Sequence, residues 1–301
     1  MPKKNKVEQY IASLSDVKGK TVIITGANSG LGYQIAKVAL LKGATVVLAC
    51  RSVLRATEAT NKLIEETGSY NIHTELYDQI SLNSVRFFVR TIKKKYPDFY
   101  ALILNAGVLY PPERIDDKGY STLYLTNFLG AFVLLEELKE FLEQSQIERR
   151  IVIQGSLASF RHKYKNSHAF ILGKMPNHKT YSLSKLCCSN LYVYHKNHNH
   201  NRFVKYLLCE PGVAVTNLFN SLPKWFKKFA FPLMKIIFNT SEEGALSACK
   251  LMCDAAANGD YYRPAHFFSC KGLPKKSVYP KKYIFDEIIV EAQQISSGIY
   301  E

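Results

Sequence analysis

The stretch TVIITGANSGLG, residues 21–32, decides the fold. Its first half, Thr21 to Thr25, is a β-branched apolar run that reads as a buried strand. Its second half carries three glycines, Gly26, Gly30 and Gly32, and leads into apolar residues at helical spacing: Leu31, Ile35, Val38 and Ala39. Strand, glycine turn and helix in that order let a backbone approach a pyrophosphate closely, with free N–H groups and a helix dipole facing it. The spacing is GxxxGxG and not the commoner GxGxxG. Gly26, Asn28, Ser29, Gly30, Leu31 and Gly32 are therefore candidate contacts to a dinucleotide cofactor.

Further runs of the same kind follow at 45–49, 72–77, 101–105, 150–155 and 203–209, separated by helical patterns such as Val85, Phe88, Val89 and Ile92. Gly43 reads as a helix C-cap, and Ser81 and Ser241 as N-caps. Strict alternation predicts an α/β fold: a Rossmann-type, doubly wound parallel sheet with helices on both faces. With 301 residues, 47% of them hydrophobic, the chain can bury one large core. We expect a single domain over residues 18–301, preceded by a loosely attached tail, 1–17. The apolar stretch SLPKWFKKFAFPLMKIIF, residues 221–238, leaves the last of these strands at its carboxyl end, where such sheets bind ligands. A substrate-covering lid is expected over roughly residues 217–277, in preference to a basic amphipathic segment making weak contact with a membrane surface.

At the end of the second strand an acidic residue would bond an adenosine ribose 2′-hydroxyl. Here stands Arg51, followed by Ser52 and Arg55. A guanidinium pairs with a 2′-phosphate, so the sequence favours NADP(H) over NAD(H).

Composition narrows the partners. The 40 Lys and Arg against 25 Asp and Glu give a net charge of +15, but the basic residues are scattered and lack interleaved aromatics, which argues against nucleic acid. Seven cysteines without a CxxC spacing fit free thiols in a reducing, cytoplasmic setting. The first 20 residues contain no apolar signal region, and no apolar run is long enough to span a bilayer. HKNHNH, residues 195–200, reads as a solvated helix end and no metal is expected. Cys187 and Cys188 point to different helix faces, one toward the wall of the site and one into the core.

Taken in order, the glycine turn, NAG at 105–107, Asn127 in TNFLGAF, Ser156 in QGSLAS, YSLSK at 181–185 and PGVAVT at 211–216 resemble the short-chain dehydrogenase/reductase family. The match runs from about Lys18 to Asp260. ACR at 49–51, DDKGYSTLYLTNFLGAF at 116–132, TSEEGA at 240–245 and GDYYRP at 259–264 make it similar to the retinol-dehydrogenase-like and protochlorophyllide-reductase-like branch. The resemblance implies that Tyr181 protonates a carbonyl oxygen as hydride arrives from nicotinamide. A tyrosine phenol is a weak acid near pH 10, and an ammonium beside it stabilises the phenolate. Lys185 lies one helical turn on, on the same face, and by resemblance also binds the nicotinamide ribose. Ser156 would polarise the carbonyl, and Asn127 would hold a water linking Lys185 to solvent. Asp78 would contact adenine, and Asn105, Ala106 and Gly107 would pass the adenosine ribose. Pro211, Gly212, Val213 and Thr216 would form the turn and contacts at the nicotinamide. Gln79, where the family commonly has an apolar residue, and Gly155 are mild departures.

These roles imply an NADP(H)-dependent oxidoreductase acting on the carbonyl or hydroxyl of a small hydrophobic substrate, an aldehyde, ketone, retinoid or steroid. By resemblance it would form a homodimer or homotetramer through the helices bearing Asn127 and Tyr181. The alternatives are an NADP(H)-binding regulatory module without turnover and a reductase of a carbon–carbon double bond.

Overall fold

The computed structural model describes residues 5–165, 167–213, 239–266 and 269–299. Eight strands form one sheet in the order β3-β2-β1-β4-β5-β6-β7-β8. They are β1 Thr21–Thr25, β2 Thr45–Cys50, β3 Ile72–Leu76, β4 Ala101–Leu104, β5 Arg149–Gln154, β6 Val204–Cys209, β7 Tyr261–His266 and β8 Lys271–Ser277. All neighbours pair in parallel except β7 and β8, which form an antiparallel edge. The chain leaves β1 in one direction along the sheet and resumes at β4 in the other, and this reversal opens a crevice at the carboxyl ends of β1 and β4.

The helices are α1 Lys6–Ser13, α2 Gly30–Leu41, α3 Val53–Thr67, α4 Leu82–Lys95, α5 Thr122–Tyr124, α6 Gly130–Glu143, α7 Ser167–Ile171, α8 Asn177–Asn197, α9 Ser241–Cys253 and α10 Glu287–Ile299. Side chains alternate across each strand, so two cores form. Ile23, Leu102, Ile151 and Leu208 meet α4, α6 and α8 on one face. Ile24, Ile103, Val152 and Leu207 meet α2, α3 and α9 on the other. The fold is the doubly wound α/β sheet that the alternation predicts.

Two boundaries differ from the sequence expectation. From residue 5 the supposed tail is built in: an Asn5–Glu8 capping box starts α1, and Leu14 and Val17 are 4% and 1% exposed in the α2-side core. The Ser15 N–H bonds Asp254 at 2.8 Å. Two apolar residues in a polar stretch carry too little periodicity to announce this docking. Residues 241–277, assigned to the lid, form α9 and the last two strands. Strand β8, KGLPKKS, is rich in lysine and proline, as edge strands are, and so does not read as a strand. Residues 217–238, the rest of the expected lid, lie outside the described residues.

Residues 279–299 lie over α8. Asn190 accepts the Phe285 N–H at 2.8 Å and donates to the Tyr283 carbonyl at 3.0 Å, while Ile288, Ile289 and Ala292 are buried in the α8-side core. The same segment reaches the site: Tyr283 donates to the Phe160 carbonyl at 2.7 Å and Tyr164 to Glu291 at 2.5 Å.

Candidate functional site

The crevice is stitched together by Thr25, the last residue of β1. Its buried hydroxyl donates to the Ile103 carbonyl and accepts the N–H groups of Asn105 and Ala106, both at 3.0 Å. The Asn105 amide donates to the Thr25 carbonyl at 2.9 Å and to the Gly26 carbonyl at 3.3 Å. Glycine is required here by space. A Cβ at position 26, where φ is +67°, would lie 3.0 Å from Ala106 Cα, and one at 32 would lie 2.5 Å from Asn105 Nδ2. Gly30 has φ +57° and open space around it. Ser29 is the N-cap of α2 yet makes no side-chain cap bond, so the first turn of that helix has no internal acceptor from it. Asn28 and Leu31 are partly exposed on the same loop. The residues fit a dinucleotide: a tight turn, an uncapped helix start, and Arg51 exposed after β2 with no ion pair among the described residues. Ser52 serves as N-cap of α3, accepting from the Arg55 N–H at 3.3 Å. Asp78, after β3, is partly buried and accepts the Ile80 N–H at 3.2 Å.

The second half of the site hangs on a π-helical turn, Leu125–Leu129, between α5 and α6. That turn brings Asn127 inside, 2% exposed. Its side-chain oxygen accepts the Val108 N–H at 2.7 Å, and its amide donates to the Val108 carbonyl and to the Ser184 hydroxyl, both at 2.9 Å. Its carbonyl accepts the Cys188 thiol at 2.8 Å. The turn is held from outside by Gln79, whose amide donates to the Thr126 carbonyl at 2.5 Å. Gly130 lies so close to the Gln79 backbone that a Cβ there would overlap the carbonyl oxygen.

Lys185 projects from α8 into this half, 6% exposed, with Nζ donating to the Gln154 carbonyl at 3.2 Å. A Cβ at Gly107 would lie 3.3 Å from that Nζ and 3.2 Å from Asn127 Oδ1, so the NAG turn, the π turn and α8 converge on one spot. Tyr181 is partly buried one turn earlier. Ser156 lies two residues after β5 and N-caps a short 3-10 turn, Leu157–Phe160. Ser182 donates to the Ala158 carbonyl at 2.5 Å and so ties that turn to α8 beside Tyr181. The Pro211–Val213 turn is fixed from the start of β8. Asn239 donates to the Pro211 carbonyl at 2.8 Å and accepts the Gly272 N–H at 3.1 Å, and the Val213 N–H donates to the Cys270 carbonyl at 3.0 Å. Gly212 has φ +71° and packs against the same carbonyl. Thr216 lies outside the described residues.

The sequence singled out every residue of the convergence except its supports: Thr25, Gln79, Ser184, Cys188 and Asn239. Ser184 stands in view inside YSLSK and Gln79 as a departure from the family, but their partners are distant in sequence. Glu210, just before Pro211, is 0% exposed, and neither carboxylate oxygen has a well-formed hydrogen bond among the described residues. Burial pushes its pKa up to about 7, against the lowering effects of the Tyr261 hydroxyl and Arg263. His195 corrects an expectation: it is not solvated but 6% exposed, stacked on Tyr206 at 4.9 Å, and burial lowers its pKa to about 3. It is therefore neutral. Cys187 is buried in the core beneath α10, and burial raises both neighbouring thiols.

A doubly wound sheet with a glycine turn at its reversal point defines a nucleotide-binding α/β protein of Rossmann type. Residues 20–226 match the short chain dehydrogenase family model, and the chain belongs to that family. It is 31% identical to mouse (Mus musculus) retinol dehydrogenase 14 over 296 residues, covering 90% of this chain and 86% of that protein. It is 30% identical to the WW domain-containing oxidoreductase of Pongo abelii over 267 residues, covering 85% of this chain and 63% of the other. The chain thus spans less than two thirds of the WW domain-containing oxidoreductases it matches. These likenesses place it in the retinol-dehydrogenase-like branch of the family. Among solved structures, a protein of uncharacterised function from Mycobacterium paratuberculosis superposes with a TM-score of 0.71 at 22% identity, covering 95% and 97% of the two chains. The NADP active-site complex of Pseudomonas aeruginosa RhlG superposes with a TM-score of 0.61 at 18% identity, covering 79% and 90%.

Proposed function

We propose that this oxidoreductase moves hydride between NADP(H) and the carbonyl or hydroxyl of a hydrophobic substrate. The observation that carries the reading is the convergence of Gly107, Asn127 and buried Lys185 beside the glycine turn. The bound nicotinamide would supply or take the hydride. The Tyr181 hydroxyl gives its proton to the substrate oxygen, and the Ser156 hydroxyl donates a hydrogen bond to the same oxygen. Lys185 Nζ, anchored on the Gln154 carbonyl, presents positive charge one helical turn from the phenol. Asn127, whose side chain is engaged by Val108 and Ser184, holds the π turn against α8 beside Lys185. The glycine turn and the α2 N-terminus take the pyrophosphate, and Arg51 takes a 2′-phosphate.

NADPH oxidation measured with a panel of apolar aldehydes and ketones tests this reading. We expect turnover that Tyr181→Phe removes; no turnover with any of them would sink it. Residues 279–299 pack on α8 around Asn190. The homodimer or homotetramer that the family resemblance implies would then pair through α6 and the part of α8 left uncovered, and light scattering measures which of them forms.

A further inference from the structure

We propose that the substrate carries an anionic group, a carboxylate or phosphate, bound by a cationic rim at the mouth of the site; this rests on the carbonyl-oxidoreductase reading above. Residues 161–179, the link from the Ser156 turn to the start of α8, contain five Lys or Arg and three His but no Asp or Glu. Their apolar members hold the link down: Tyr164, Phe170, Ile171 and Met175 are buried. Arg161, Lys163 and His178 are left exposed, with His162 and Lys179 partly so.

The two ends of the link are brought together. Arg161 follows the 3-10 turn that the Ser182–Ala158 hydrogen bond fixes against α8, and His178 and Lys179 sit in the first turn of that helix, just before Tyr181. Partial burial, and then the charges of Lys179, His178 and Arg161, hold the His162 imidazole below its ordinary value. Among the described residues no carboxylate acts on it. None of these five residues forms a salt bridge among the described residues, whereas Glu291, which meets the link, is bonded to the Tyr164 hydroxyl.

This arrangement is unfavourable without a ligand. Like charges repel, and cations in the first helical turn oppose the dipole. Helix α8 has no acidic residue in that turn, and its N-cap, Pro176, supplies no side-chain acceptor. An anion at the rim would relieve all three. The link starts at the turn that Ser156 caps and ends in the helical turn before Tyr181, so an anion held there would belong to the same molecule whose carbonyl meets those two residues. The apolar carbonyl end and the charged end then lie in one molecule, as in an ω-oxo acid.

The test compares decanal with 10-oxodecanoate, at low and high salt, in the wild type and in the Arg161→Gln/Lys179→Gln double variant. We expect kcat/KM about tenfold higher for the oxo acid, a preference that shrinks with ionic strength and approaches unity in the double variant. Turnover of decanal with no preference overturns the inference and leaves the oxidoreductase reading standing. If neither carbonyl is turned over, that reading fails, and calorimetric binding of 10-oxodecanoate decides the inference. Affinity about tenfold weaker in the double variant supports it, and equal affinity overturns it. Equal kcat/KM together with co-sedimentation on phosphatidylserine vesicles that the double variant loses assigns the rim to a lipid surface instead, and also overturns it.

Discussion

The Asn127 amide donates to the Ser184 hydroxyl at 2.9 Å, and that hydroxyl donates to the Tyr181 carbonyl at 2.8 Å. One serine therefore locks the π turn to the helix that carries Tyr181 and Lys185. Removing it leaves a buried amide hydrogen without an acceptor. Ser184→Ala should cost about 1–3 kcal/mol in denaturant unfolding and lower kcat about tenfold with little change in KM, because the Asn127 side chain loses its anchor to α8. An unchanged kcat with the expected loss of stability would reduce Ser184 to a packing role.

Gly130 tests the π turn from the other side. A methyl group there meets the Gln79 backbone carbonyl, which cannot swing away as a side-chain end could. Gly130→Ala should destabilise by about 3 kcal/mol, the upper end for overpacking. Gly107→Ala, whose new methyl would press on the movable end of Lys185 at 3.3 Å, should keep its thermal midpoint and lose turnover instead. The pair separates fold from site by melting curves and NADPH oxidation.

Arg51 is the exposed cation at the end of β2. Arg51→Asp should weaken NADPH binding by about a hundredfold or more in fluorescence titration, since one attraction is lost and one repulsion gained. NADH binding should change little or improve. Wild-type protein that binds the two cofactors equally would refute the assignment of a 2′-phosphate site.

Glu210 makes stability depend on pH. Its folded pKa is about 7, above its ordinary value of 4.5, so between those values the folded state holds a proton that the unfolded state has released. Stability should therefore fall as pH rises through that window, by up to about 1.4 kcal/mol per unit from this group, and level off above pH 7. Glu210→Gln should remove its share of the slope, as read from denaturant midpoints between pH 5 and pH 8.

Six of the eight strands were legible: the central parallel ones because strands covered on both faces must be apolar throughout, as TVIIT and ALIL are, and the edge strand IHTEL only by its place in the alternation. The antiparallel edge was not, since β8 needs only its pairing with β7 and keeps three lysines and a proline. The site was legible where chemistry fixes a residue within a local motif, as at Gly26 or Lys185. It was hidden where the reason is a partner far along the chain: Gln79 beneath Thr126, Asn239 beneath Pro211, Glu210 against Tyr261. His195 looked solvated because its burial against Tyr206 depends on β6 passing beneath α8.

Residues 279–299 also tie distant parts of the chain together. Asn190 meets Phe285, and Tyr164 meets Glu291 127 positions later. Such contacts close late, because a long loop must be ordered before they return any energy. During synthesis the glycine turn and the first four strands can pair while α8 still has one apolar side open to water. The helix bearing Tyr181 and Lys185 therefore has its full cover only once residues 279–299 have been made.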